Sequence, residues 1–185
     1  LHWVDILDAH YWAEGAGGYF TAADDTKDVI VRLKSAADDA APSANAVMVA
    51  NLAALGTLTG EQRFVERASA IMRAFSTDLA QNLSGHTGLL AAAIDLLAPQ
   101  LIVLVEGSAG LSENLDAALA EVSVPGAVEI RVKGTVGEDG PPAVRGKSAD
   151  GGRSTAYLCA GPQCSLPVTT ASDLRRLAVD QRSIV

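Results

Sequence analysis

The sequence predicts a mixed α and α/β fold, with αα-hairpins over residues 1–99 and a small βαβ-containing unit over 100–185. Three observations carry that reading. The first part holds four stretches whose apolar residues recur at helical spacing, each closed by a Gly or Pro break. LIVLVEG (101–107) is a continuous apolar, β-branched run of the kind buried on both faces of a sheet. Hydrophobic residues make up 49% of the chain but aromatics only 4%. Ala and Leu therefore carry much of the core, which favours close helix packing over a β-sandwich.

Taken in order, LHWVDILDAHYWAE (1–14) reads as a helix with Trp3, Ile6, Leu7, His10 and Tyr11 on one face. Gly15 to Gly18 end it, because Gly tolerates the left-handed turn after a helix. A long loop follows, GGYFTAADDTKDVIVRLKSAADDAAPSAN (17–45), in which DVIVRLK (28–34) is a possible short strand. Pro42 and Ser43 open a second helix to about Leu58, with Ser as its cap. Glu61 to about Leu83 is the clearest helix, with Phe64, Ala68, Ile71, Met72, Phe75 and Leu79 as its apolar stripe. Residues 87–98 are the fourth, stopped by Pro99. After the strand at 101–107 come an amphipathic helix (112–122), a second strand (127–134), a Gly/Pro-rich loop (135–154), a third strand (154–161) and a closing helix (169–180) capped by Thr or Ser. Strand, helix, strand is a βαβ unit, so the first two strands should be parallel.

The net charge of −8, with no Lys/Arg cluster, argues against nucleic acid, since phosphate binding needs a basic face. Anionic membrane surfaces are disfavoured for the same reason. No apolar run approaches the ~20 residues that span a bilayer. No charged segment followed by an apolar one opens the chain, so no secretory leader is expected. With two cysteines the chain is no disulfide scaffold, and a cytoplasmic location is the default expectation. The chain starts at Leu1 within a helical pattern, which leads us to expect a longer polypeptide on its N-terminal side.

The long loop concentrates the candidate chemistry. A loop of this length in a compact domain is functional or disordered, and this one is too rich in apolar and β-branched residues for disorder. Asp24, Asp25 and Asp38 are candidates for proton transfer, as paired carboxylates serve glycoside chemistry. Arg32 and Lys34 are candidates for holding an anionic or carbonyl group. Ser43 and Asn45, at a helix N-terminus, are candidate substrate donors. The competing reading makes all of them turn formers, caps and loop ion pairs. His10 reads as a packed, hydrogen-bonded core histidine, His86 as a surface residue, and Asn51 as a satisfied core Asn. The histidines lack metal-ligand spacing, so neither a metal nor a cofactor is expected. Cys159 and Cys164, in CAGPQC, lack C-x-x-C spacing and are expected as reduced thiols. GSAG (107–110) has neither the dinucleotide nor the P-loop pattern and reads as a plain βα loop.

GGYFTAADD, DVIVRLKSAADDAAPSANAV and TAYLCAGPQCSLPVTTASDL, in that order, resemble the YyaL-like family of thioredoxin-domain-containing proteins, to which a spermatogenesis-associated protein of animals is related. Family members read GGFF or GGYF, then a segment like RPK…DGAxPSGNS, then TAYVC…C…P. The basic motif falls on Arg32 and Lys34, with Leu33 in place of Pro. The Asp falls on Asp38, with Asp39 where Gly is usual. Pro-Ser-Gly-Asn falls on Pro42, Ser43, Ala44 and Asn45, with Ala44 replacing Gly. Both replacements alter backbone freedom without removing the polar groups.

The resemblance implies an N-terminal thioredoxin-like domain followed by an (α/α)6 toroid, similar to six-hairpin glycosidases and N-acylglucosamine 2-epimerase. It implies that this chain corresponds to the C-terminal part of such a protein. Two functions follow as expectations. One is a carbohydrate-type, epimerase- or glycosidase-like pocket built from the long loop. The other is a non-catalytic binding or scaffold module serving the thioredoxin-like domain. Expected partners are a sugar-like small molecule, the N-terminal remainder of the polypeptide, and further copies of the chain.

Overall fold

A computed structural model describes residues 1–182 apart from Ser123 and Glu138, with only the backbone of Gln181 and Arg182. The chain is mixed helix and sheet and divides into two compact units, residues 1–56 with 61–96, and residues 57–60 with 97–185. None of the described helices is long and apolar enough to cross a membrane.

The first unit is helical. It contains α1 (His2–His10), α2 (Ala44–Thr59, whose last turn belongs to the second unit), α3 (Gln62–Ala74), α4 (Ser76–Gln81), a short 3-10 turn (Ser84–His86) and α5 (Thr87–Leu97). Phe64, Ala68 and Ile71 of α3 pack with Val49 and Leu52 of α2, Leu89 and Ala92 of α5, and Val4 of α1. Burying a side chain the size of Leu52 or Phe64 contributes about 1.5–3 kcal/mol each.

Three expectations change here. The first helix stops at His10 rather than near residue 14, because Trp12 bridges Tyr19 and the Ala13 amide donates to Gly18 O at 2.9 Å, turning the chain back. Its exposed side carries Trp3, while Val4 points inward. The helix expected over 61–83 breaks at Phe75 (φ −109°, ψ 12°), whose ring stays buried in the core. Residues 28–34 form no strand and run as extended loop.

The second unit is a four-stranded sheet in the order β2-β1-β3-β4, with β1 Gln100–Glu106, β2 Val128–Lys133, β3 Thr155–Ala160 and β4 Gln163–Cys164. β1 runs parallel to β2, with Leu101 beside Val128, as the βαβ pattern predicts. It pairs antiparallel with β3, with Val103 beside Tyr157. The continuous apolar run of β1 now has a cause. Its even positions, Ile102 and Leu104, pack with Leu115 and Leu119 of α6 (Glu113–Glu121) and Leu174 and Ala178 of α7 (Ala171–Arg182). Its odd positions, Leu101, Val103 and Val105, pack on the opposite face with Cys159, Val144 and Ala143. Side chains alternate across a strand, so both sets must be apolar. Thr170 caps α7, accepting the Asp173 amide on Oγ1 at 3.2 Å.

The cysteines are not the reduced thiols that their spacing predicts. Cys159 and Cys164 form a disulfide. Sequence spacing gave no sign of β4, whose two residues fold back on β3 and put Cys164 directly opposite Cys159.

Candidate functional site

The long loop is ordered by side chains rather than by a ladder. Gly17 and Gly18 both have positive φ (72° and 80°), and a Cβ on Gly17 would stand 2.8 Å from Ala70 O. That geometry needs glycine and accounts for the Gly-Gly of the GGYF motif. Tyr19 follows, buried, with its backbone clamped by Asn45. The Tyr19 amide donates to Asn45 Oδ1 at 2.7 Å, and Asn45 Nδ2 donates to Tyr19 O and Ser35 O, both at 2.9 Å. Asn45 is 1% exposed, so its amide is used by the fold and cannot meet a ligand.

The other expected binding groups are similarly engaged. Ser43 Oγ accepts the Ala46 amide at 3.1 Å, an N-cap of α2. Asp38 Oδ2 accepts the Gly88 amide at 2.7 Å and the Thr87 hydroxyl at 3.1 Å, which caps α5 from a distance. Its Oδ1 accepts the Ser43 amide at 3.0 Å. These bonds, Gly88 first, hold the Asp38 carboxyl below its usual range. Lys34 Nζ donates to Gly17 O, its ammonium 5.6 Å from the Phe75 ring centre. Lys34, Asp38, Ser43 and Asn45 are thus each bonded to nearby backbone groups, with Asp38 joined to the Ser43 amide. They order the loop by supplying partners for backbone groups that no ladder pairs, beside backbone bonds such as Thr21 N to Leu33 O at 2.9 Å and Asp38 N to Gly85 O at 2.8 Å.

The remaining candidates, Asp24, Asp25 and Arg32, do meet, and they meet at His10. Asp24 Oδ1 lies 3.0 Å from His10 Nδ1, and the Asp24 amide donates to His10 O at 3.0 Å. One ligand-type atom each of His10, Asp24 and Asp25 lies within 4.8 Å of the others, so among the described residues this is a group whose spacing could admit a shared cation. Arg32 lies with its guanidinium 4.2 Å from the Phe20 ring centre and donates from Nη1 to His10 O at 3.3 Å. The hydrogen bond to Asp24 raises the His10 pKa above 6.5, and the same bond lowers that of Asp24. His10 is thus an exposed residue, not the core histidine its position in the helix predicts. His86 is the buried one, its Nδ1 2.7 Å from Asn82 O, and Asn51 is exposed.

Sequence reasoning missed a second polar group. Asp8 accepts a short bond from the Tyr19 hydroxyl on Oδ1, and Arg67 Nη2 donates to its Oδ2 at 3.0 Å. The Arg67 guanidinium covers Trp12 at 4.0 Å. Burial, then the Asp8 bond, pushes the Tyr19 hydroxyl well above its usual range, so it stays a donor. Asp8 and Arg67 line a cavity of about 300 Å³ with Val4, Leu52, Arg63 and Phe64. The only signal in the sequence was an arginine set among Phe64, Ala68 and Ile71, a position whose partner 59 residues away no periodicity reveals.

In the sheet unit, GSAG is closed by its own backbone and by the 152–154 segment. Gly107 and Gly110 exchange backbone bonds, and Ser108 N donates to Gly152 O at 2.8 Å. That is the plain βα loop its composition predicts.

No protein-family model matches this chain. It is 28% identical over 188 residues to spermatogenesis-associated protein 20 of Rattus norvegicus, and equally so to the same proteins of Mus musculus and Homo sapiens. The aligned region takes in 96% of this chain but only 24% of each of those proteins. The chain is thus homologous to a stretch of spermatogenesis-associated protein 20 amounting to about a quarter of that protein's length.

Proposed function

We propose that the helical unit supplies part of a carbohydrate-type pocket, epimerase- or glycosidase-like, within an α/α toroid of a longer polypeptide. The observation that carries this reading is the His10–Asp24 bond at 3.0 Å, with Asp25 and Arg32 beside it. A carboxylate on Nδ1 orients the imidazole and leaves Nε2 to give or take a proton. Asp25 is the second carboxylate, and Arg32, over the Phe20 ring, is positioned to hold a sugar hydroxyl, carbonyl or phosphate. Asp38, Lys34, Ser43 and Asn45 hold the loop that carries Asp24, Asp25 and Arg32. Neither a metal nor an organic cofactor has a part in this reading.

The test uses the intact protein on a panel of sugars, sugar phosphates and oligosaccharides. Deuterium uptake at carbon reads epimerisation and reducing-end release reads hydrolysis. His10→Ala and Asp24→Asn should each lower turnover by about 10²-fold, the usual share of a positioned acid or base. No turnover by the wild-type protein across the panel would sink the catalytic reading.

A second reading, the non-catalytic binding or scaffold module, has its own support. Val29, Ile30, Val31 and Leu33 lie exposed in succession on the extended loop, Ile30 fully so. Contiguous apolar exposure of that kind marks a protein-contact surface. Its occupant in this reading is the remainder of the longer polypeptide, with the thioredoxin-like domain that the family resemblance implies. Ile30→Glu would then abolish capture of the separately produced remainder, whereas under the catalytic reading it leaves sugar turnover intact.

A further inference from the structure

We propose that the Cys159–Cys164 disulfide is a thiol–disulfide exchange site, opened at Cys164 by a thiol or dithiol reductant, and not a staple on which the sheet depends. The pairing comes from strand register. Ser165 N donates to Leu158 O at 2.8 Å, which makes 158 and 165 a hydrogen-bonded pair. Pairs alternate along an antiparallel ladder, so 159 and 164 are a non-hydrogen-bonded pair, where side chains lie closest. Their Cα atoms are 3.9 Å apart.

The two sulfurs sit in opposite surroundings. Cys159 is 2% exposed, packed with Leu101, Val103 and Val144 beneath the sheet. Cys164 is exposed, on a two-residue edge strand just past the turn at Gly161. A thiolate from solvent can reach only the Cys164 end. In the first step the incoming sulfur bonds to Cys164 Sγ, the Sγ–Sγ bond breaks, and its electron pair leaves on Cys159 as thiolate. A second reductant thiolate attacks the incoming sulfur and frees Cys164. Two protons from the reductant thiols end on the cysteines, and the two reductant thiols leave as one disulfide, a two-electron exchange.

The hairpin does not need the bond to hold its place. Ser165 bonds Leu158 through both its amide and its hydroxyl, the latter accepting the Leu158 amide at 3.2 Å. Val168 and Ala156 exchange backbone bonds at 2.7 and 2.9 Å, and the Gly161 amide donates to Pro99 O at 2.8 Å. These bonds do not involve the sulfurs, so opening the disulfide leaves β3 and the turn at Gly161 in place.

The test is reduction of the folded chain by about 1 mM dithiothreitol, read by alkylation and mass spectrometry beside far-UV circular dichroism. Two thiols should appear together, with the dichroism unchanged. The rate should be first order in reductant and unmoved by sub-denaturing urea. A rate that urea accelerates, thiols that appear only on unfolding, or loss of sheet on reduction would overturn the proposal. Single variants sharpen it: with oxidised glutathione, Cys159→Ser should form a mixed disulfide at Cys164 at least about tenfold faster than Cys164→Ser forms one at Cys159. The reverse order would overturn it as well. Should either variant fail to fold, the wild-type urea dependence decides alone.

Discussion

The long loop of the helical unit and the sheet of the second unit are held by opposite means. In the sheet, β1 pairs with β2 and β3 through backbone groups, and side chains need only be apolar and in register. Between Gly17 and Asn45 there is neither helix nor strand until α2 begins, and beside isolated backbone bonds such as Thr21 N to Leu33 O a few side chains supply the partners: Asn45 for Tyr19 and Ser35, Asp38 for Ser43 and Gly88, Lys34 for Gly17. The difference teaches where single polar substitutions should be felt. A ladder spreads its bonds over many interchangeable residues, while the loop concentrates them on a few.

The sharpest way to break that contrast is at Asn45. Asn45→Ala removes three bonds and leaves the buried Tyr19 amide without its acceptor. Loss of a buried partner exposes the full desolvation penalty, so we expect a loss of about 3 kcal/mol in urea unfolding, with faster amide exchange through the loop. Arg131→Ala on β2, which removes an exposed ion pair with Asp116, should change stability by less than about 0.5 kcal/mol. Similar losses for the two variants would end the contrast.

The disulfide tests the sheet side. It closes a short loop, a sequence separation of 5, so the double variant Cys159→Ala/Cys164→Ala should lose roughly 2 kcal/mol and stay folded. A variant unable to form the sheet, judged by dichroism, would mean the ladder alone is insufficient there.

Asp38 sharpens the loop side through pH. Its carboxyl is held below 3.8 by Gly88 and then Ser43, so its stabilisation is full above the unfolded value and fades as pH falls through the lower folded one. Asp38→Asn should lose about 1 kcal/mol at neutral pH, the usual scale of a helix cap, and should flatten the acid limb of the stability profile below about pH 4. An unchanged acid limb would place the carboxylate's contribution elsewhere.

The same contrast explains what could be read in advance. β1 declared itself through an unbroken apolar run, since both faces of a central strand are buried, and α6 between the first two strands fixed their parallel pairing. The helical stripe of Phe64, Ala68 and Ile71 was equally visible because periodicity is local. The loop was legible only as a place. Asn45, Asp38 and Lys34 were marked as polar residues of interest, but a side chain that donates to a backbone 26 residues away leaves no local pattern to separate anchor from ligand contact. Asp8 and Arg67 escaped for that reason too, and β4 because two residues are too few to show alternation. Conversely, His10 was read from the helical stripe as core, whereas α1 ends at that residue and turns its ring outward to Asp24.

The smallest effect concerns that exposed pair, where the loop's bonding meets water. Asp24 raises the His10 pKa, chiefly through their hydrogen bond, and His10 lowers that of Asp24 by the same bond. A raised histidine contributes below its unfolded value of 6.5 and loses that contribution as pH rises through the folded value. A depressed carboxylate contributes above its unfolded value of 3.8 and loses it as pH falls. The pair is therefore favourable between those limits, and its exposure makes stability a poor readout. Titration of the His10 ring by NMR is the direct one. The wild-type midpoint should lie above 6.5, and Asp24→Asn should bring it back towards that value while leaving the urea midpoint nearly unchanged. Asp25→Asn should move it in the same direction but less, because Asp25 acts on His10 only through its charge. A wild-type midpoint at or below 6.5 would show that the ring and Asp24 do not share a proton in solution, and would remove the pair on which the proton-transfer reading rests.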